Sequence, residues 1–140
     1  MAFSGNFLCT SFKSELFSAV HNFGSHTFKM ALFTNSATLN ASTTAYSTTN
    51  EVSGAGYSAG GATVANVSVN TSGTTAFIDF DDVAFSSSSI TARGALLYNS
   101  SASDKAVAIF DFGADKSSSS STFTVTIPTA DANNAIVRIA

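Results

Sequence analysis

Apolar and polar residues alternate along most of this chain, and that period of two predicts strands. Thr27–Phe33 sets Phe28, Met30 and Leu32 against Lys29, Ala31 and Phe33. Thr63–Val69 and Thr75–Phe80 read as two strands joined by the polar connection Asn70–Thr74. Val83–Phe85 continues the pattern or pairs locally, and the serine run Ser86–Ser89 reads as a turn. Ile90–Tyr98 and Lys105–Phe112 form a second hairpin around Asn99–Asp104. Nearly every position of Lys105–Phe112 is apolar, which predicts cover on both faces. Gly113–Ser121 reads as a polar loop, Thr122–Ile127 as a strand ended by Pro128, and Ala135–Ile139 as the last strand. Thr34–Asn50 is polar and turn-rich, a long surface loop.

One segment leaves the period of two. Phe12, Leu16, Val20 and Phe23 recur at the spacing of a single helix face. Thr10 or Ser11 is placed to cap its start, and Gly24 to end it. Such a helix must dock its apolar face, and the sheet that follows is the available partner. The expected fold is mostly β: an antiparallel, jelly-roll-like β-sandwich of about seven or eight strands with one N-terminal α-helix. Residues 1–140 are expected to form one domain, with 1–24 as a helical N-terminal segment.

Asn50–Gly61 (NEVSGAGYSAGG) interrupts the alternation with four glycines and one tyrosine. Glycine in that number disfavours both helix and central strand. A phosphate-binding loop needs a helix after it, and here the strand-like Ala62–Val69 follows. The segment therefore reads as a shaped structural loop.

Composition narrows the function classes. Charged residues make up 11% of the chain, against about 25% in typical soluble domains. So weakly charged an exterior suits a subunit that buries surface in an assembly; a secreted or merely Ser/Thr-rich domain is the other reading. The net charge is −3, and Lys13, Lys29, Arg93, Lys105, Lys116 and Arg138 are scattered, which argues against nucleic acid. No apolar run approaches the length of about 20 residues needed to span a membrane, so no membrane partner is expected. Met1–Gly5 lacks the pattern of a secretory signal, and folding in a cytoplasm is the expectation. The single cysteine, Cys9, reads as a small buried hydrophobe.

Candidate chemistry is sparse. Asp79, Asp81 and Asp82 form an acidic cluster without the spacing of a calcium loop, and read as a charged strand end. Asp111 and Asp115 flank Gly113 and read as turn residues before they read as a catalytic pair. Arg93 lies inside a strand and needs a partner: Asp79, Asp81, Asp111 or a neighbouring subunit. His21 and His26 lack a zinc spacing, and one cysteine makes no structural zinc set. No catalytic, metal or cofactor site is expected. Phe3, Phe7 and Phe12 either anchor a partner or fold back over the core. With Tyr57 and Arg93 they are the candidate interface residues. Tyr46, Tyr57 and Tyr98 are the residues a carbohydrate-binding module would use, and Asp79, Asp81 or Asp111 those a glycan hydrolase would use.

Several stretches also carry a resemblance. They are TFKMALFT at Thr27–Thr34, AYSTTNEVSGAGY at Ala45–Tyr57 with the Gly60-Gly61 pair, ITARGALLYN at Ile90–Asn99, AVAIFDFG at Ala106–Gly113, and the end AIVRIA at Ala135–Ala140. As a set these resemble small virion proteins of tailed bacteriophages, from about Thr27 to the end of the chain. The resemblance implies a non-enzymatic structural protein of the virion, assembled in the host cytoplasm. Its implied role is a capsid decoration (cement) protein, trimeric and seated on the major capsid protein. The alternative within the resemblance is a tail, neck or baseplate component bound to other virion proteins.

Overall fold

The computed structural model describes residues 3–140. Ten strands and one helix follow in the order β1 (Phe7–Leu8), α1 (Thr10–Phe17), β2 (Phe28–Phe33), β3 (Ala62–Thr63), β4 (Ser68–Ser72), β5 (Thr75–Asp79), β6 (Val83–Ser88), β7 (Thr91–Asn99), β8 (Lys105–Ser117), β9 (Ser121–Val125) and β10 (Arg138–Ile139). The protein is mostly β and antiparallel, with a single short helix near the N-terminus among the described residues. A five-stranded sheet runs β1-β8-β7-β2-β3, a three-stranded sheet β10-β5-β4, and a two-stranded sheet β6-β9. One apolar core joins all three in a sandwich-like arrangement. Met30 and Leu96 of the large sheet, Ile78 of the second and Phe85 and Phe123 of the third belong to it.

The centre of the large sheet is β8-β7-β2, where the alternation was strongest or the run most apolar. β2 pairs with β7 from Phe28↔Asn99 to Phe33↔Gly94. Ala106, Val107, Ala108 and Ile109 of β8 are all buried, so both faces are covered as the apolar run required.

The helix is shorter than its apolar spacing predicted. It ends at Phe17 because Ala19 turns into the left-handed region (φ 58°). The Val20 N–H reaches back to the Glu15 carbonyl (3.1 Å) and the Ala19 N–H to that of Leu16 (3.3 Å), closing the end as a Schellman motif. Gly24 is therefore not the stop. The start also differs: Cys9 takes the N-cap position and no side chain caps the helix. Phe23 keeps its buried place without being helical. It stacks on Phe28 (4.4 Å between ring centres) and meets Phe12 edge-on. The segment 1–24 thus holds a short strand and a two-turn helix among its described residues, rather than one long helix.

Three further boundaries moved, each for a local reason. Thr63–Val69 is not one strand, because Asn66 adopts φ 55° and carries the chain from one sheet to another. Its side chain holds Asp81 there at 2.7 Å. Ser86–Ser89 is not a turn, since β6 continues to Ser88. The loop expected over Gly113–Ser121 shrinks to residues 118–120, since β8 runs to Ser117 and β9 starts at Ser121. β6 and β7 together face β9 and β8, from Val83↔Val125 through Ser88↔Ser121 to Asn99↔Lys105. This is one long ribbon bent where two serine runs oppose each other. The fully buried Ser88 hydroxyl bonds that of Ser118 (2.7 Å) and the Ser121 carbonyl (2.9 Å), satisfying polar groups that a sharp bend exposes.

The glycine loop packs into this bend and onto β2. A Cβ at Gly61 would lie 1.9 Å from the Met30 carbonyl oxygen, and its φ is +75°. At Gly73, in the turn after β4, φ is +60° but open space surrounds the position. Substituting Ala separates the two effects. Gly61→Ala should cost about 3 kcal/mol through overpacking and strain, and Gly73→Ala about 1 kcal/mol through backbone conformation alone. Urea unfolding of both variants checks the difference.

Candidate functional site

The glycine loop carries Glu51, and this half-buried carboxylate gathers three donors. Its Oε1 accepts the Tyr57 hydroxyl (2.6 Å) and the Gly60 N–H (2.7 Å); its Oε2 accepts the Tyr46 hydroxyl (2.6 Å). The Tyr57 hydroxyl also accepts the Leu32 N–H of β2 at 2.8 Å. Tyr98 of β7 donates to the Gly60 carbonyl at 2.6 Å and stacks its ring on Tyr46 (4.6 Å). All three tyrosines of the chain are thus drawn into one cluster around the loop. Burial first, and the Glu51 carboxylate second, push the Tyr46 and Tyr57 phenols well above their usual range. Tyr98 is pushed up to about 12 by burial and then by the charges of Asp104 and Glu51. The arrangement holds phenols neutral and backbone in place. Tyr98 is 2% exposed, so its ring is not free to stack on a sugar.

A second polar cluster brings together residues that lie far apart in sequence. Asn99 is fully buried at the end of β7. Its amide nitrogen donates to Nδ1 of His21 (3.0 Å) and to Nδ1 of His26 (2.9 Å), while its Oδ1 accepts the Ser101 N–H. Both Nδ1 atoms are therefore acceptors, and the His21 proton sits on Nε2, toward Glu15 Oε1 at 3.0 Å. Lys105 completes the chain of contacts on Glu15 Oε2 at 3.2 Å. The cluster ties the N-terminal segment to the β7–β8 hairpin. The sequence pattern offers the two histidines as a pair without a zinc spacing and does not mark Asn99, because its position reads as the start of a turn.

The other predicted residues have definite places. Phe3 and Phe12 are fully buried in the chain's own core and present no surface. Phe7 lies half-buried on β1, paired opposite Ile109. Tyr57 is half-buried, with its hydroxyl on Glu51. Arg93 donates through Nε to Asp111 (3.1 Å) and through Nη1 to Asn35 (3.2 Å), so Asp111 is its partner among the three candidates. The Gly113 N–H first, and then the Arg93 guanidinium, hold the Asp111 carboxyl below its usual range. Asp79, Asp81 and Asp82 are exposed, and Asp82 accepts the Ile127 N–H. No group of three His, Cys, Asp or Glu side chains is placed to hold a metal among the described residues. Cys9 is fully buried, and burial with the nearby Glu15 charge pushes its thiol up to about 11.

Apolar surface is the remaining feature. A groove of about 430 Å³ opens between the end of α1 and the β10-β5-β4 sheet, lined by Leu16, Phe23, Val69, Phe77 and Ile139 among others. Val69 and Ile139 stand 58% and 62% exposed there, and Phe17 beside Leu16 is 94% exposed. Compared with protein-family models, curated proteins and solved structures, the chain matches none of them.

Two measurements test the polar clusters. A phenol whose proton is held more tightly in the fold stabilises it fully below pH about 10, the free tyrosine value. That stability is lost as pH rises above it, because the unfolded chain then releases protons first. Phenolate absorbance and loss of β-sheet circular dichroism should therefore rise together above pH 10; tyrosines that ionise near pH 10 in a still-folded chain would contradict this. Asn99→Leu leaves the buried His21 Nδ1 and the Ser101 N–H without a partner, while His26 Nδ1 keeps the Asn22 N–H, and should lower urea stability by about 2 kcal/mol.

Proposed function

We propose that this chain is a non-enzymatic structural protein of a tailed-bacteriophage virion, most closely a capsid decoration protein. The observation that carries the reading is the apolar groove itself, with Leu16, Phe23 and Phe77 in its lining and Val69 and Ile139 standing exposed on it. Apolar side chains grouped along a groove, rather than scattered singly, mark a surface that another molecule covers. Only 11% of residues are charged, so little charge must be desolvated when that surface is buried. The resemblance of Thr27–Ala140 to small virion proteins supplies the identity of the assembly.

In this reading the chain binds the major capsid protein and other copies of itself. It stabilises the shell by mass action, because it binds the assembled form and not the loosened one. Repetition over a symmetric lattice multiplies each weak contact. The polar clusters give such a part rigidity: Glu51 fixes the long loop, and Asn99 fixes the N-terminal segment.

Cryo-electron microscopy of purified particles tests the proposal, with mass spectrometry of the same particles as a check. The expected result is density for this fold on the outer face of the shell, in trimers or larger groups. Density in the tail, neck or baseplate would keep a virion role and overturn decoration. Absence from the particles would overturn the proposal.

A further inference from the structure

We propose that β4 is a contact between two copies of this chain, pairing antiparallel with itself about Asn70. The proposal rests on the assembly reading above and names one of its surfaces.

β4 is the terminal strand of the three-stranded sheet, so one of its edges is unpaired. Its register with β5 says which groups point outward. Ser72↔Thr75 closes the two-residue turn Gly73-Thr74 as a hydrogen-bonded pair. Alternation then makes Asn70↔Phe77 and Ser68↔Asp79 hydrogen-bonded pairs, and Val69↔Ile78 and Thr71↔Ala76 the others. The Ile78 N–H agrees with this, since it bonds the Val137 carbonyl (3.0 Å) on the side away from β4. Val69 and Thr71 therefore aim their N–H and C=O groups at the open edge.

This edge is self-complementary. A two-fold axis at Asn70 places Val69 opposite Thr71 of the second copy, and every outward N–H meets an outward C=O. Ser68 then faces Ser72 of the second copy, and Asn70 faces its own counterpart. None of these residues is charged, so no like charges meet across the contact. Val69, 58% exposed on the groove side, gains the Thr71 methyl of the second copy as a neighbour.

β4 also lacks the devices that keep edges apart. It has no charge, no proline and no register shift. The edge strands β1, β3 and β10 are two residues long. β9 is as long as β4, but it pairs with β6 across a register shift, and Lys116 lines the groove beside it. Five residues bury far less than the roughly 800 Å² per partner of a free-standing interface. The pairing is accordingly weak in dilute solution and forms where copies are held close, as neighbours on a shell are. A two-fold contact joins two copies, and it joins trimers when the copies belong to different rings.

The test uses Asn70→Cys in the full chain. Facing residues of a non-hydrogen-bonded antiparallel pair have Cα atoms about 4.5 Å apart, inside the disulfide range of about 4.4–6.8 Å. The native Cys9 is buried and stays out of the reaction. Under mild oxidation, in concentrated protein and in purified particles, Asn70→Cys should give a disulfide-linked homodimer. Ser68→Cys, whose counterpart lies several residues away, should not. Adding Thr71→Lys to Asn70→Cys should abolish the link while leaving the thermal melt unchanged. Linking no faster than for Ser68→Cys, or linking to a different protein, overturns the proposal. Particles that contain the Asn70→Cys chain with its introduced thiol unlinked sink the edge contact and leave the virion reading standing. A linked homodimer in solution with no chain in particles does the reverse.

Discussion

A carboxylate set among phenols organises this fold. Glu51 alone would be costly to withdraw from water, yet it accepts two hydroxyls and one backbone N–H within 2.7 Å. Charge-assisted hydrogen bonds of this kind are the stronger ones. They fasten a glycine-rich loop that has almost no side chains with which to hold itself. Once fastened, the loop lies on the Met30 carbonyl and against Ser88–Ser89 so closely that only glycine fits. The large sheet, the serine bend and the loop are thus parts of one constraint. Loosening Glu51 would release the loop from β2 and uncover the bend.

Much of the architecture was legible because burial writes itself into period two. β2, β5, β7 and the first half of β8 fall close to their apolar runs, and the mostly β, antiparallel class follows from them. The errors share a cause: local pattern does not report long-range pairing. Phe12, Leu16, Val20 and Phe23 have helical spacing, but the chain leaves the helix after Phe17 so that His21 reaches Asn99. Ser86–Ser89 read as a turn and Gly113–Ser121 as a polar loop because serine favours turns. Strand instead takes in Ser86–Ser88 and reaches Ser117 and Ser121, leaving only 118–120 as a connection, because the two runs bond each other across the bend.

The candidate site divides the same way. Arg93 inside a strand called for a carboxylate, and Asp111 supplies it. Phe3 and Phe12 illustrate the opposite case. An aromatic near a terminus looks the same in sequence whether it faces a partner or the core, and here the Phe3 ring fills the space above Gly94. The tyrosines were visible as a set, yet nothing local marked Glu51 as their common acceptor. Three contacts from one carboxylate at sequence separations of five, six and nine residues exist only after the loop has closed.

The distribution of polarity finally bears on what the surface is for. Glu15, Glu51, His21 and Asn99 are engaged in internal networks, while the apolar side chains Phe17, Val69 and Ile139 face outward. Hydroxyl side chains cover much of the rest, and they desolvate at less cost than ions do. Such an exterior suits many modest contacts rather than a few strong ones. Modest contacts suit a lattice better than strong pairwise binding does, because a misplaced subunit can leave and rebind before neighbours lock it in place.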